Sequence, residues 1–371
     1  MENTKSARLR AVDILRGMTV MFMILVNNGA GKEIFATLKH SKWNGMTPCD
    51  LVFPFFLFIM GFSIFLSLKK TNFTWSAQTG RKIAKRTILL FAIGLAINWF
   101  DMACSGSPLD FEHLRIWGVM QRLAVCYCAA AILSLTVPHR WINAMSLTLL
   151  AVYGTILILG NGYSEDATVN WLSIADNHIF GSAHLYTKSP VDPEGLVSTI
   201  SAIAHTMTGF SCAWFMSANE KLRAHADKAL WLLSAGAIIG MAGWLLSFGL
   251  PLNKRIWSPS YVLATCGMAM MALGLIIRFV DMTSDANYGK FTKSWITLST
   301  AFGTNPLFLY VASEILGIAF GALGIKNGIY SGIKFVVGNG YWASLIYSVA
   351  FVALHAAMGL WLWKRKIFIK L

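Results

Sequence analysis

Long apolar runs alternate with short polar segments along the whole chain, and this alternation is the strongest pattern in the sequence. The runs are about 20 residues long, the length of an α-helix that crosses a hydrocarbon core of roughly 30 Å. Because they carry few charges, they predict transmembrane helices. About ten spans are predicted, at residues 11–28, 49–68, 86–100, 115–136, 142–160, 195–217, 229–248, 258–280, 295–321 and 341–363.

Two of the predicted spans are irregular. The third is short, and the ninth is long and contains Asn305-Pro306. Proline removes a backbone donor and clashes with the preceding turn, so this position predicts a kink or a break. The first run follows a basic segment, as in a signal peptide, but no small-residue cleavage site follows it. We therefore expect an all-α, polytopic helical bundle that forms a single domain over residues 1–371.

Composition and charge support a membrane location. Of the residues, 56% are hydrophobic and 13% charged, against about 25% charged in soluble domains. The net charge of +14 could indicate a nucleic-acid binder, but the basic residues form short clusters between the apolar runs. With the N-terminus in the cytoplasm, 19 lysines and arginines lie inside and 8 outside. By the positive-inside rule, both termini are predicted to face the cytoplasm, and no nucleic-acid partner is expected.

Six cysteines occur, most of them inside apolar runs and none in a Cys-x-x-Cys pair. We interpret them as buried thiols that pack as small apolar groups. A disulfide between Cys49 and Cys104, which are both predicted near the same membrane face, is the alternative. No metal site is predicted.

Three polar residues near the predicted outer ends of the first two spans are candidates for catalysis. Asn27 ends the first span, and His40 follows in a short loop before Asp50 opens the second helix. A neutral histidine can accept a proton from an attacking amine or hydroxyl. A loop histidine without a chemical role is the alternative interpretation.

Ionisable residues inside apolar runs are costly, so each is a functional candidate. Gln121 and Arg122 lie within the fourth predicted span. A buried arginine needs an anionic partner, which is either a phosphate or carboxylate ligand or an aspartate of the protein. In the first span, Asp13 and Arg16 are three residues apart and are predicted to pair on one helix face.

The segment between the seventh and eighth predicted spans combines polar and aromatic residues, namely Asn253, Lys254, Trp257, Ser258 and Tyr261. This mixture suits a polar ligand that packs against an aromatic wall. Tryptophan and tyrosine are equally typical of the interfacial belts of membrane proteins. The sequence pattern alone leaves both interpretations open.

The largest predicted outer loop, residues 161–194, is acidic. Against the single cation Lys188 it contains five carboxylates: Glu165, Asp166, Asp176, Asp192 and Glu194. Such a loop would concentrate a cationic ligand at the outer side. A solvated acidic loop without a role is the alternative. Pattern reasoning thus predicts a membrane protein with a polar cavity toward its outer half.

Six segments together resemble the heparan-α-glucosaminide N-acetyltransferase family of transmembrane acetyltransferases, including its shorter bacterial members. They follow the family order and are VDILRGMTVMFMILVNNGAGK, KHSKWNGMTPCDLVFPFFLFIMG, RIWGVMQRLAVCY, VDPEGLVSTI, PLNKRIWSPSYVL and FGTNPLFLY. The lysosomal member moves an acetyl group from cytosolic acetyl-CoA to a terminal glucosamine across the membrane. This sequence differs from it in lacking the extra N-terminal lumenal region and first helix.

The resemblance implies an acetyl-CoA-dependent N-acetyltransferase that acts on a glucosamine-type acceptor at the outer face of a bacterial inner membrane. His40 occupies the position of the family's catalytic histidine and Asn27 that of an active-site asparagine; Asp50 is grouped with them. Candidate residues for holding CoA are Gln121, Arg122, Lys254, Trp257, Ser258, Tyr261 and Asn305. The expected partners are acetyl-CoA as co-substrate, the amino sugar and the lipid bilayer, and a homodimer is allowed for.

Two other functions compete with this expectation. One is a transporter that moves an amino sugar or a cell-wall fragment through the polar cavity. The sequence shows no inverted repeat between its halves, which disfavours a secondary transporter. The other is an O-acyltransferase that modifies a surface polysaccharide, using the same donor but a hydroxyl acceptor.

Overall fold

A computed structural model describes residues 9–222, 224–283 and 288–369. Four basic residues used in the charge-based orientation, Lys5, Arg8, Arg223 and Lys370, lie outside these ranges. The described residues form thirteen α-helices: α1 (Arg10–Asn27), α2 (Val52–Lys69), α3 (Ala77–Cys104), α4 (Val119–Thr136), α5 (Ile142–Leu159), α6 (Trp171–Phe180), α7 (Thr199–Ala218), α8 (His225–Leu246), α9 (Pro259–Ile276), α10 (Lys290–Thr304), α11 (Pro306–Ala322), α12 (Ile325–Val337) and α13 (Gly340–Lys364).

The all-α, polytopic membrane architecture predicted from the sequence is confirmed. All ten predicted segments coincide with helices. By length and composition, seven of the described helices could cross a membrane, and the pair α10 and α11 could supply an eighth span. Neither α1 nor α7 is in this set, because α1 carries three charged residues and α7 many small polar ones. The structure therefore does not fix the number of spans at ten.

The predicted break at Asn305-Pro306 is confirmed. Helices α10 and α11 meet there at an angle of 83°. Asn305 is the last residue before Pro306, which begins α11 without needing a backbone donor. The Asn305 amide donates to the Ile367 carbonyl at 2.9 Å, and its oxygen accepts from the Ile369 backbone at 2.8 Å. This residue thus fixes the C-terminal segment at the bend.

The core of the bundle lies where α2 and α7 cross. Gly61 on α2 and Gly209 on α7 allow the two backbones to touch: a Cβ on Gly61 would lie 1.8 Å from the Thr206 carbonyl oxygen. Likewise, a Cβ on Gly209 would lie 2.1 Å from the Phe58 carbonyl oxygen. Nearly all of α7 is buried. A helix surrounded by protein need not be strongly apolar, so α7 carries polar residues without exposing them to lipid.

The long polar loops meet at one end of the bundle, called the His40 end below. The Trp43 indole donates to the Tyr163 carbonyl at 2.9 Å, and the Gly45 amide to the Leu252 carbonyl at 2.7 Å. Three segments distant in sequence are thereby joined. Glu33 also pairs with Lys334 of α12 at 2.6 Å. These contacts bring together residues from loops that the sequence pattern assigns to one membrane face.

Candidate active site

His40 lies in the loop before α2 and contacts the carboxylate of Asp50. Its Nδ1 is 2.8 Å from Asp50 Oδ1. The histidine side chain is 48% exposed, whereas the Asp50 side chain is fully buried. A buried carboxylate that fixes one ring nitrogen leaves the other nitrogen available for chemistry. Two of the three residues that the sequence analysis grouped as catalytic, His40 and Asp50, are therefore in direct contact.

The loop holds Asp50 rigidly. Asp50 is the third residue of a short 3-10 helix, Pro48–Leu51, that leads into α2, and it forms a capping box with Thr47. Its Oδ2 accepts backbone hydrogen bonds from Ser41 at 3.1 Å and from Thr47 at 3.0 Å. Because these donors belong to the loop itself, the carboxylate and the histidine segment are positioned together.

Lys254 completes this cluster from the loop between α8 and α9. Its Nζ is 3.0 Å from His40 Nδ1 and 3.7 Å from Asp50 Oδ1. Burial lowers the pKa of Lys254, while the neighbouring Asp50 and Glu194 carboxylates act in the opposite direction. Cys49 Sγ is also 3.2 Å from His40 Nδ1. The histidine is thus surrounded by a carboxylate, an ammonium group and a thiol.

Arg122 forms a second, fully buried polar cluster with Trp257. Its guanidinium lies 5.2 Å from the Trp257 ring centroid and donates to the Gly195 carbonyl and the Ser198 hydroxyl. Among the described residues no carboxylate forms an ion pair with it, and its Nε and Nη1 have no acceptor. The aspartate partner considered from the sequence is therefore absent from this part of the chain. Gln121, buried beside Gly94, likewise has an unpaired side-chain nitrogen.

The remaining aromatic and hydroxyl candidates lie just before α9 and in its first turn. Trp257 is fully buried in an edge contact with Phe53, and its φ is +53°, a conformation that non-glycine residues seldom adopt. Ser258 caps α9 by accepting from the Tyr261 backbone at 3.4 Å. The Tyr261 hydroxyl donates to the Asp50 carbonyl at 2.5 Å. Tyr261 therefore holds the backbone of Asp50, and Ser258 holds the first turn of α9.

Asn27 and Asn305 lie apart from His40. Asn27, at the end of α1, lines a cavity of about 580 Å³ and faces the Glu314 carboxyl. No contact between Asn27 and His40 occurs in the described structure. Asn305 follows Gly303, whose Cα faces the Asp13 carbonyl near the start of α1. It therefore lies toward the opposite end of the bundle from His40.

The acidic loop is mostly turned inward. Asp192 and Glu194 are buried and bind the Arg115 guanidinium at 2.9 and 2.8 Å. Burial raises the pKa of Asp176 to about 6, although the backbone amide of Leu196 donates to this carboxyl. Only Glu165 and Asp166 remain exposed. The expectation of an acidic mouth is wrong for the other three, because the loop uses them to organise itself.

Two further predictions can be compared with the structure. Asp13 and Arg16 pair at 3.1 Å, as their spacing indicated. All six cysteines are free thiols, so Cys49 and Cys104 form no disulfide.

The sequence analysis overlooked Cys49 as a neighbour of His40 and the cavity carboxylates Asp101 and Glu314. Glu314 carried a signal, since it is a carboxylate within the ninth apolar run and such residues are functional candidates. Asp101 lies just beyond the predicted third span, where the pattern gave no reason to select it. The contact of Cys49 with His40 has no signal in the sequence.

Comparisons with known proteins find the same family that the sequence motifs resemble. The family model described as heparan-alpha-glucosaminide N-acetyltransferase, catalytic, matches residues 8–187, which include Asn27, His40, Asp50 and Arg122. Heparan-alpha-glucosaminide N-acetyltransferases of Mus musculus and Homo sapiens are each 29% identical to this sequence over 98% of the chain. The chain spans about 60% of the length of these relatives. The chain is therefore similar to heparan-alpha-glucosaminide N-acetyltransferases over nearly its whole length.

Proposed function

We propose that this protein is a membrane acetyltransferase that transfers acetyl from cytoplasmic acetyl-CoA to the amino group of a glucosamine-type sugar at the outer membrane face. The observation that carries the proposal is the His40–Asp50 contact at 2.8 Å, with an exposed imidazole and a fully buried carboxylate. The similarity to heparan-alpha-glucosaminide N-acetyltransferases supports the acetyl donor and the sugar class. The proposed location is a bacterial inner membrane, with the His40 end facing outward.

His40 is the proposed general base. Amino sugars are protonated near neutral pH and attack a thioester only after losing a proton. With Nδ1–H donated to Asp50, the Nε2 lone pair accepts the proton of the attacking amine. Alternatively Nε2 attacks the thioester and carries the acetyl group until the amine arrives. In the direct route the amide bond forms as the thioester bond breaks, and the thiolate of CoA leaves. In the covalent route the Nε2–acetyl bond forms as the thioester bond breaks and the thiolate leaves; the amide bond then forms as the Nε2–acetyl bond breaks and frees the imidazole.

The reaction also needs groups that stabilise negative charge on the thioester oxygen and that bind the phosphates of CoA. Lys254 and Arg122 are the candidates for these roles. The Lys254 ammonium, beside the imidazole, is placed to stabilise negative charge that develops on the thioester oxygen. Arg122 has two unpaired guanidinium nitrogens, which are suited to phosphate. These contacts favour CoA binding by Lys254 and Arg122, with the Trp257 ring beside the Arg122 guanidinium. Ser258 and Tyr261 act in this proposal by holding Asp50 and the loop.

The test uses purified protein in proteoliposomes, with acetyl-CoA on the cytoplasmic side and glucosamine on the other. We expect free CoA and N-acetylglucosamine in equal amounts. His40→Ala should lower the rate by about 10²-fold or more, while His178→Ala, which removes an exposed histidine of α6, should leave it unchanged. Near-normal turnover in folded His40→Ala protein would refute the assignment.

Two further measurements separate the alternatives. If His40 is only a base, raising the pH should partly restore His40→Ala activity, because more of the acceptor is already deprotonated. If His40 carries acetyl, alkaline pH should not help and the wild type should show ping-pong kinetics. Glucosamine uptake that needs neither acetyl-CoA nor His40 would indicate a transporter. A product cleaved by hydroxylamine would indicate an ester, and hence an O-acyltransferase.

A further inference from the structure

Helix α12 joins α11 to α13 and has no part in the reaction proposed above. Its 13 residues extend over about 20 Å, which is too short to cross a hydrocarbon core of roughly 30 Å. Gly324 and Gly338 flank the helix with φ values of +72° and +70°, so the chain turns sharply at both ends. Lys334 of α12 pairs with Glu33 of the segment that leads to His40. This helix therefore belongs to the His40 end of the bundle and is not a membrane span.

The side chains of α12 form an apolar face and a polar face. Residues four, seven or eleven positions apart lie on the same side of an α-helix. By this spacing the apolar face consists of Ile325, Ile329 and Val336. The polar face consists of Asn327, Ser331 and Lys334 and lies on the opposite side of the helix. Such a division is typical of a helix at a boundary between an apolar and an aqueous phase.

The apolar face of α12 is open to the surroundings. All 13 residues of the helix are at least partly exposed, and Val336 is 83% exposed. A continuous apolar surface of this kind is unfavourable in water and indicates a binding surface.

The neighbouring helices indicate that lipid covers this surface. Helix α13 could cross a membrane, and α10 and α11 together could form another span. The chain enters α12 after the exposed Leu323 and leaves it before the exposed Tyr341 and Trp342. Tyrosine and tryptophan are typical of the interface between membrane and water. The apolar face of α12 thus continues the surface that these helices present to lipid.

A third side of α12 contacts the segment 28–47, which carries His40. The Tyr330 hydroxyl donates to Glu33 at 3.1 Å, and the Lys334 ammonium donates to the same carboxylate at 2.6 Å. The Tyr330 ring lies against Gly31, where a Cβ would be 2.4 Å from the ring. Glu33 precedes His40 by only seven residues. The position of α12 is therefore transmitted to the segment that carries His40.

We propose that α12 lies in the interface between lipid and water at the His40 end, with its apolar face on the acyl chains and its polar face in water. The partner of this surface is the bilayer in which the protein is embedded. The bilayer thereby fixes α12, and α12 holds the segment 28–47 through Glu33. This inference does not depend on the chemistry at His40.

The first test asks what touches each face of α12. The photo-crosslinking residue p-benzoylphenylalanine replaces Val336 or, as the matched control, Asn327; both positions are exposed and lie on opposite faces. The protein is irradiated in vesicles of phosphatidylethanolamine and phosphatidylglycerol. Mass spectrometry should find phospholipid adducts about fivefold or more abundant at position 336. Equal adducts at both positions, or no adducts at 336, would overturn the proposal. Covalent dimers formed through position 336 would show that a second copy covers this face.

The second test asks whether the bilayer contact holds the segment 28–47. The Leu38 and Lys39 amides donate to the Phe35 and Ala36 carbonyls within it, so their hydrogen exchange reports its opening. In vesicles, Val336→Asn and Glu33→Gln should each accelerate this exchange about threefold or more. Ser331→Asn, which changes the polar face, should not.

The outcomes of the exchange test are distinct. Unchanged exchange in folded Glu33→Gln protein would show that α12 does not hold the segment. Accelerated exchange in Glu33→Gln but not in Val336→Asn would show that α12 holds it without the bilayer. If Val336→Asn does not fold, the crosslinking test still decides where the apolar face lies. Neither measurement requires acetyl transfer, so failure of the proposed enzyme function would leave both results unchanged.

Discussion

The Asp50→Asn substitution tests whether the buried carboxylate controls the ring state of His40. Asp50 Oδ2 accepts two backbone N–H groups, from Ser41 and Thr47, and Oδ1 faces His40 Nδ1. Asparagine can keep its oxygen toward the two backbone donors. Its NH₂ group then points at His40 Nδ1, which must accept rather than donate. The proton consequently moves to Nε2, and the nitrogen proposed as the base can no longer accept one.

The loss of stability and the loss of acetyl-transfer rate caused by Asp50→Asn can be estimated separately. Two backbone hydrogen bonds are retained in neutral form, so the loss of stability should be about 1–3 kcal/mol, as expected when hydrogen bonds to a charged acceptor are weakened. Loss of general-base catalysis should reduce acetyl transfer by about 10²–10⁴-fold. The fall in rate therefore exceeds anything that partial unfolding of this size would produce in a protein that remains folded.

The assay is single-turnover CoA release from saturating acetyl-CoA and glucosamine, measured from pH 6 to 9. The Asp50→Asn rate should increase with the fraction of free amine and lose the contribution of the imidazole. Asp166→Asn, which changes an exposed aspartate of the 161–194 loop, serves as the control and should match the wild type. A folded Asp50→Asn protein within threefold of the wild-type rate, or with an unchanged pH profile, would refute the positioning role.

Two further predictions concern stability. Burial raises the folded-state pKa of Asp176 to about 6, above the ordinary aspartate value of 3.8. Its destabilising effect is therefore absent at low pH and develops as pH rises from about 4 to 6. Asp176→Asn should remove this loss of stability, about 3 kcal/mol, as measured by melting temperature against pH. Gly61→Ala should lower the melting temperature, because its Cβ would meet the Thr206 carbonyl at 1.8 Å, whereas Gly332→Ala, with no atom within 4 Å, should not.

The helices could be predicted well because lipid imposes a length and an apolar composition on each span. The predicted elements are wrong where a helix extends beyond its apolar run or is too short to span a membrane. Helix α3 extends from Ala77 to Cys104, beyond the predicted 86–100, because its basic first turns continue the helix outside the apolar layer. Helices α6 and α12 are short and were included in loops. Neither carries an apolar run long enough to register as a span.

The site was predictable only in part. His40 and Asp50 are ten residues apart in one loop, so a sequence motif can contain both. Lys254 is 214 residues from His40, and no local pattern indicates their contact. The sequence nominated Arg122 for its burial but could not show that its neighbours are Gly195, Ser198 and Trp257. Such contacts depend on how the helices pack, which the apolar pattern does not specify.

The helices that fall short of ordinary span composition show where polar chemistry must lie. A charge facing lipid is costly, so a membrane protein places its polar side chains on helices surrounded by others. Helix α1, with Asp13, Arg16 and Asn27, and the largely buried α7 are two such helices. Helix α1 leads directly into the His40 loop and ends at the cavity. The low apolar content of α1 therefore agrees with its position, because many of its side chains are buried against other helices rather than exposed to lipid.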